Sequence, residues 1–300
     1  MISTVMHPHS RTLGALGKRN LALLGLALAS WVQAARASLP EVAGTLKAVE
    51  TAAFWSEELV AEALVSPTAV SQPAASRQAQ APIPAAVSRE IRDISGWQVR
   101  IQTKLLETER KATEHALGLL QKMLDEIVRV VPPAAVKELR QIPLYFSPAY
   151  QPSRTGAEYH PDAGWLRANG RDPMMARAVE FSGVADFEKE MNRMPNFVLH
   201  ELAHGYHHRV LEDGFANAAI KQAYDRAKAG GKYELVERWF GNGKPNTRER
   251  AYAMTNPMEY FAEATEAYFV RNDFFPFTRD ELKLHDPEML ALLEKLWTKQ

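Results

Sequence analysis

The 300-residue chain contains no cysteine. Disulfides, thiolate metal ligands and lipid attachment through an N-terminal cysteine are therefore excluded. It also lacks net charge, since 36 Lys and Arg balance 36 Asp and Glu. Such a balance argues against electrostatic capture of nucleic acid or of an anionic membrane. No internal repeat and no phosphate-binding glycine loop is legible. The apolar run from Leu21 to Trp31 is too short to span a bilayer comfortably, which takes about 20 residues.

That run follows Arg11, Lys18 and Arg19 and precedes small residues at Ala35 and Ala37. The order of charge, apolar core and small residues predicts an export signal peptide over residues 1–37, cleaved near Ser38. The mature protein is then expected to be secreted, extracellular or periplasmic, with no stable membrane span. An uncleaved single-pass anchor is the competing reading. Residues 38–65 read as a short helical segment. Residues 66–88 are rich in Pro, Ala, Ser and Gln and carry too little apolar surface to fold, so they read as a linker. Residues 89–300 suffice for one domain with a sizeable core.

Within that domain, His200-Glu201-Leu202-Ala203-His204 is an HExxH motif. Residues four apart on a helix lie one above the other, so both imidazoles can reach one metal ion from the same face. A hydrolytic zinc site needs three protein ligands and an open position for water, and Glu201 stands where a general base would take that water's proton. Phe197, Val198, Leu199, Leu202 and Ala203 surround the motif as a half-buried helix requires.

Asn256-Pro257-Met258-Glu259 predicts a second helix, with Asn256 as N-cap and Pro257 in the first turn, running to about Asn272. Glu259 could supply the third ligand or reach back to cap its own helix. Glu263 lies one turn later on the same face and competes for the ligand role. Spacing alone leaves the two glutamates nearly tied.

HELAH together with the segment Tyr252 to Ala264, YAMTNPMEYFAEA, resembles the zinc-site signature of the anthrax lethal factor catalytic domain and the related Pro-Pro endopeptidases. The likeness is sharp over about 65 residues. It implies a gluzincin-type metalloprotease with a zincin-like α+β domain, mostly helical, and a small sheet beside the active-site helix. It implies Glu259 as the third ligand of one Zn2+ ion. It also implies that Tyr252, seven residues before that ligand, turns its hydroxyl to the scissile carbonyl of a peptide or protein substrate. The metzincin pattern does not fit, because His207 and Val210 stand where Gly and His would be needed.

Other features are expected to be scaffold. His207 reads as a partly exposed histidine one turn past the metal, or as a contact to a ligand or substrate; His208 reads as plain surface. Gly96 to Ile101 and Ile142 to Phe146 read as strands, and Lys111 to Val131 as a helix ended by Pro132-Pro133. Ala178 to Ser182 is expected to be a strand, either internal or the edge that holds substrate in extended form above the metal helix, as in zincins generally. Tyr159 to Trp165 reads as a structural loop. Ala216 to Ala229 reads as a helix, and the loop around Gly241–Asn246 as a wall of the cleft. Thr278 has capping-box spacing, and Pro287 to Trp297 reads as a last helix. The expected activity is that of a zinc metalloendopeptidase. A non-catalytic zinc-containing binding protein, or a zinc hydrolase acting on a non-peptide amide, is the alternative.

Overall fold

A computed structural model of the protein describes residues 87–150 and 156–298. The export signal, the segment 38–65 and the linker up to residue 86 lie outside the described residues. β1 (Arg89–Ile94) and β2 (Trp97–Gln102) form an antiparallel hairpin. Ser95 and Gly96 turn it with φ of 53° and 89°, the left-handed pair that matches the twist of a two-residue hairpin. α1 (Thr103–Thr108) leads into α2 (Arg110–Val130), whose Leu117, Leu120, Leu124 and Ile127 are buried at helical spacing. Pro132 ends that helix, and Pro133 opens α3 (Pro133–Leu139), where its missing N–H costs nothing.

β3 (Leu144–Ser147), β4 (Gly156–His160), α4 (Ala163–Ala168) and β5 (Ala178–Ser182) complete an α+β core. Among the described residues the main sheet has five strands in the order β1-β2-β3-β5-β4. β3 runs parallel to β2 and to β5, whereas β4 is an antiparallel edge strand. Ala178–Ser182 has the expected bounds but is internal, paired with β3 on one side and β4 on the other and buried throughout. The edge is Gly156–His160 instead. The turn formers after it obscured it in sequence: Asp162 is the N-cap of α4, its Oδ1 accepting from Gly164 N and Trp165 N.

Strand alternation sorts the sheet's two faces. Val99, Ile101, Phe146, Val179, Phe181 and Tyr159 join the main core, and Tyr145 and Ala178 pack on the other side with Leu166 and Met175. After α5 (Phe187–Arg193) comes α6 (Phe197–Arg209), which carries the HExxH motif. Asn196 caps it, its side chain accepting from Leu199 N at 3.1 Å. α7 (Ala218–Gly230) is followed by a hairpin of β6 (Val236–Arg238) and β7 (Thr247–Glu249).

α8 (Pro257–Phe269) lies against α6. It stops short of Asn272, which folds back so that its Nδ2 donates to Glu263 Oε2 at 3.0 Å and to Phe274 O at 2.9 Å. α9 (Arg279–His285) opens with the expected Thr278–Glu281 capping box. α10 (Pro287–Thr298) stacks Trp297 on Tyr206 of α6, with centroids 4.1 Å apart. None of the described helices is long and apolar enough to cross a membrane.

Gly205 sets how closely α6 approaches the sheet. A Cβ there would lie 2.5 Å from Ile142 Cδ1 and 3.2 Å from Tyr159 Cε2. Alanine gains about 1 kcal/mol of helix propensity over glycine, against roughly 1–3 kcal/mol for overpacking. Gly205→Ala should therefore stay within about 1 kcal/mol of wild type in chemical denaturation, whereas the branched Gly205→Val should lose about 2 kcal/mol or more.

Candidate metal centre

Two helices build the centre. On α6, His200 and His204 lie one turn apart with rings edge to face, centroids 4.8 Å apart. On α8, the Asn256 side chain accepts from Met258 N and Glu259 N, both at 2.9 Å. This cap fixes the first turn and frees the Glu259 carboxylate, which does not reach back to the cap. Glu259 Oε2 lies 3.0 Å from His200 Nε2 and 3.2 Å from His204 Nε2. All three side chains are buried.

An ion bound tetrahedrally at about 2.0–2.1 Å would hold its ligand atoms about 3.3 Å apart. The observed separations are close to that. Buried His and Glu groups that could hold a metal ion are thus present, His200, His204 and Glu259 among them. Burial alone would raise the Glu259 carboxyl, but the two imidazoles hold it well below the usual range. Burial would depress His200, but Glu259 and Glu266 lift it well above its usual value. Metal-free, the cluster is therefore a buried ion pair, and a cation could take the place of its protons.

Glu266 was not among the sequence candidates. Its Oε1 is 2.7 Å from His200 Nδ1, which donates to it, while metal-free the Nε2 proton donates to Glu259. The only sequence signal was its place two turns beyond Glu259 on the same helix. Burial raises Glu266 to about 7, against the opposing pull of His200. Glu263 is also buried and is raised by burial, Asp273 and Glu266. It is held by Asn272 and groups with His200 and Glu266 as possible ligands, but not with His204.

Glu201 accepts from Tyr159 N of the β4 edge at 2.8 Å. Burial raises its carboxyl, with His200 and His204 pulling the other way. One oxygen is thus anchored to the edge strand and the other is free to take a proton. Tyr252 stands at the rim, 47 % exposed. Burial of its hydroxyl end and the charges of Glu259 and Glu201 raise its pKa, keeping it a proton donor. His208 is not plain surface, since its Nδ1 lies 2.9 Å from Tyr159 OH and ties α6 to β4 a second time. His207 is fully buried rather than partly exposed.

Comparison of the chain with protein-family models, curated proteins and solved structures finds no match. The centre is therefore read from its own geometry. Away from α6 and α8, another group of possible ligands, Glu158, His160 and Glu180, lies on the sheet's outer face. There Arg171 donates to Glu158 and, at 3.2 Å, to Glu180. Tyr150 OH donates to Glu180 at 2.6 Å. The guanidinium already supplies the positive charge that a metal would bring. This group is a structural ion-pair network.

Burial depresses His207 to about 3, with His204 and His208 adding to the effect. Its unfolded value is about 6.5, so between about pH 6.5 and 3 the unfolded chain binds a proton that the folded chain does not. Stability must fall as pH falls through that window, by up to about 1.4 kcal/mol per unit for this group. In metal-free protein, urea denaturation across that range should give a shallower pH slope for His207→Leu, by about one proton.

Proposed function

We propose that the chain is an exported zinc metalloendopeptidase of gluzincin type. The observation that carries this reading is the meeting of Glu259 Oε2 with the Nε2 atoms of both HExxH histidines, with Glu201 on the same helix. In this reading His200, His204 and Glu259 hold Zn2+. When bound, zinc supplies Lewis acidity that brings a water's pKa towards about 7.

The chain's own residues do the rest. Glu201, steadied by the Tyr159 amide, accepts the proton of the attacking water and passes it to the leaving nitrogen. Tyr252 donates to the oxyanion that develops on the scissile carbonyl, a contact that strengthens in the transition state. Glu266 orients His200 and makes it a better ligand.

The β4 edge supports a peptide as substrate. His160 O accepts from Arg177 N, on the β5 side. Alternation therefore turns the polar backbone groups of Ala157 and the carbonyl of Tyr159 outward, where an extended peptide can add as a strand, while the Tyr159 amide is held by Glu201. The zincin-like arrangement rests on this antiparallel edge beside the motif helix, and resemblance to the lethal factor and Pro-Pro endopeptidase signature supports it.

Incubation of zinc-loaded protein, from Ser38 onward, with a diverse peptide mixture tests this reading. Wild type should cut and Glu201→Gln should keep its zinc yet lose at least about 100-fold in rate. Tyr252→Phe should lower kcat more than it raises KM. Glu259→Ala should weaken zinc binding more than Glu263→Ala does. Loss of zinc in Glu263→Ala alone would overturn the ligand assignment, and silence from wild type would contradict peptidase activity.

A further inference from the structure

The two histidine ligands are backed unequally. His200 Nδ1 has Glu266 within 2.7 Å. His204 Nδ1, by contrast, is buried with no hydrogen-bond partner. One turn further along α6, His207 is 0 % exposed and neither of its ring nitrogens has a hydrogen-bond partner within 3.5 Å, although the Gly214 backbone stands close enough to favour a proton on the ring. Phe215 and Phe261 flank its ring at centroid distances of 5.2 and 5.0 Å.

Residues three apart on a helix are surface neighbours, with Cβ atoms about 5–6 Å apart. A neutral imidazole carries one N–H and one free lone pair. A buried polar group left unpaired costs about 1–3 kcal/mol. The two rings do not meet within hydrogen-bond distance, but one water between them would satisfy a nitrogen of each.

We propose that His207 is the positioning residue for His204. A lone pair on its ring receives the Nδ1 proton of His204 through one bridging water, and so fixes the tautomer whose Nε2 faces the metal. This rests on the metal-site reading above and extends it to the outer support of the second ligand. That support differs in kind from the first. Glu266 puts a carboxylate behind His200, whereas His207 offers His204 an acceptor without net charge. With Glu259 already a ligand and Glu201 beside it, a neutral support orients His204 while adding no further negative charge, so the ion keeps more of its Lewis acidity.

The test is zinc affinity by competition with a chromophoric chelator, paired with the thermal midpoint of metal-free protein, for wild type, His207→Leu and His207→Gln. His207→Leu should lose about 10–100-fold in zinc affinity. Its metal-free midpoint should hold or rise, because an orphaned polar ring gives way to an apolar side chain of similar size. His207→Gln offers an acceptor oxygen and should recover most of the affinity. A residue that merely packs would lower the metal-free midpoint and leave zinc affinity unchanged, and that result overturns the inference.

Should His207→Leu not fold, the 15N-histidine spectrum of zinc-loaded wild type decides. A slowly exchanging His204 Nδ1 proton supports the inference, and exchange at the solvent rate overturns it. Equal zinc affinity in wild type and His207→Leu overturns this inference alone, whereas wild type that takes up no zinc overturns the reading beneath it.

Discussion

A single carboxylate from one helix, buried against two imidazoles from another, is the constraint on which the centre depends. Isolated burial of that charge would be costly, and it is tolerated because Glu259 meets both Nε2 atoms within 3.2 Å. Neither helix can slide along the other without breaking that contact. The Asn256 cap fixes the first turn of α8, and Trp297 stacks on Tyr206 of α6 and on Phe261 of α8, bracing the two helices together.

Charge is distributed around the contact in a way that favours a cation. Glu263, Glu266 and Asp273 are buried behind the histidines. Asp273 is partnered by Arg193 at 2.9 Å, but among the described residues no arginine forms an ion pair with Glu263 or Glu266. Burial and mutual repulsion raise both glutamates, so the site holds protons when no metal is present. Binding a divalent ion would release protons, and its affinity should therefore rise with pH. On the opposite side, Glu201 and Tyr159 link the motif helix to the only strand edge beside it among the described residues. The carboxylate proposed as general base is in this way held by one backbone amide of that strand.

The centre's main parts were legible because local rules govern them. Spacing by four on a helix places two histidines together, and Asn-Pro opens the helix that brings Glu259 to them. The near-tie between Glu259 and Glu263 could not be resolved by spacing, because what separates them is Asn272, a residue beyond the end of α8 that takes hold of Glu263. Glu266 was missed since a carboxylate two turns on reads as an ordinary helix residue until the facing histidine is known. Which strand forms the edge was left open for a similar reason. β4 is short and runs directly into the turn formers that cap α4, while β5 looks like a better strand because it is buried on both faces. His207 and His208 also depend on tertiary packing, one against Phe215 and Phe261 and the other against Tyr159.

The most direct test of the central claim is X-ray absorption at the zinc edge on protein loaded with zinc and freed of excess metal. The account predicts one ion per chain, with nitrogen and oxygen neighbours at about 2.0–2.1 Å and outer-shell scattering from two imidazole rings. Glu259→Ala should remove one of the oxygen neighbours. Zinc that binds below stoichiometry, or a spectrum left unchanged by Glu259→Ala and His204→Ala, would contradict it.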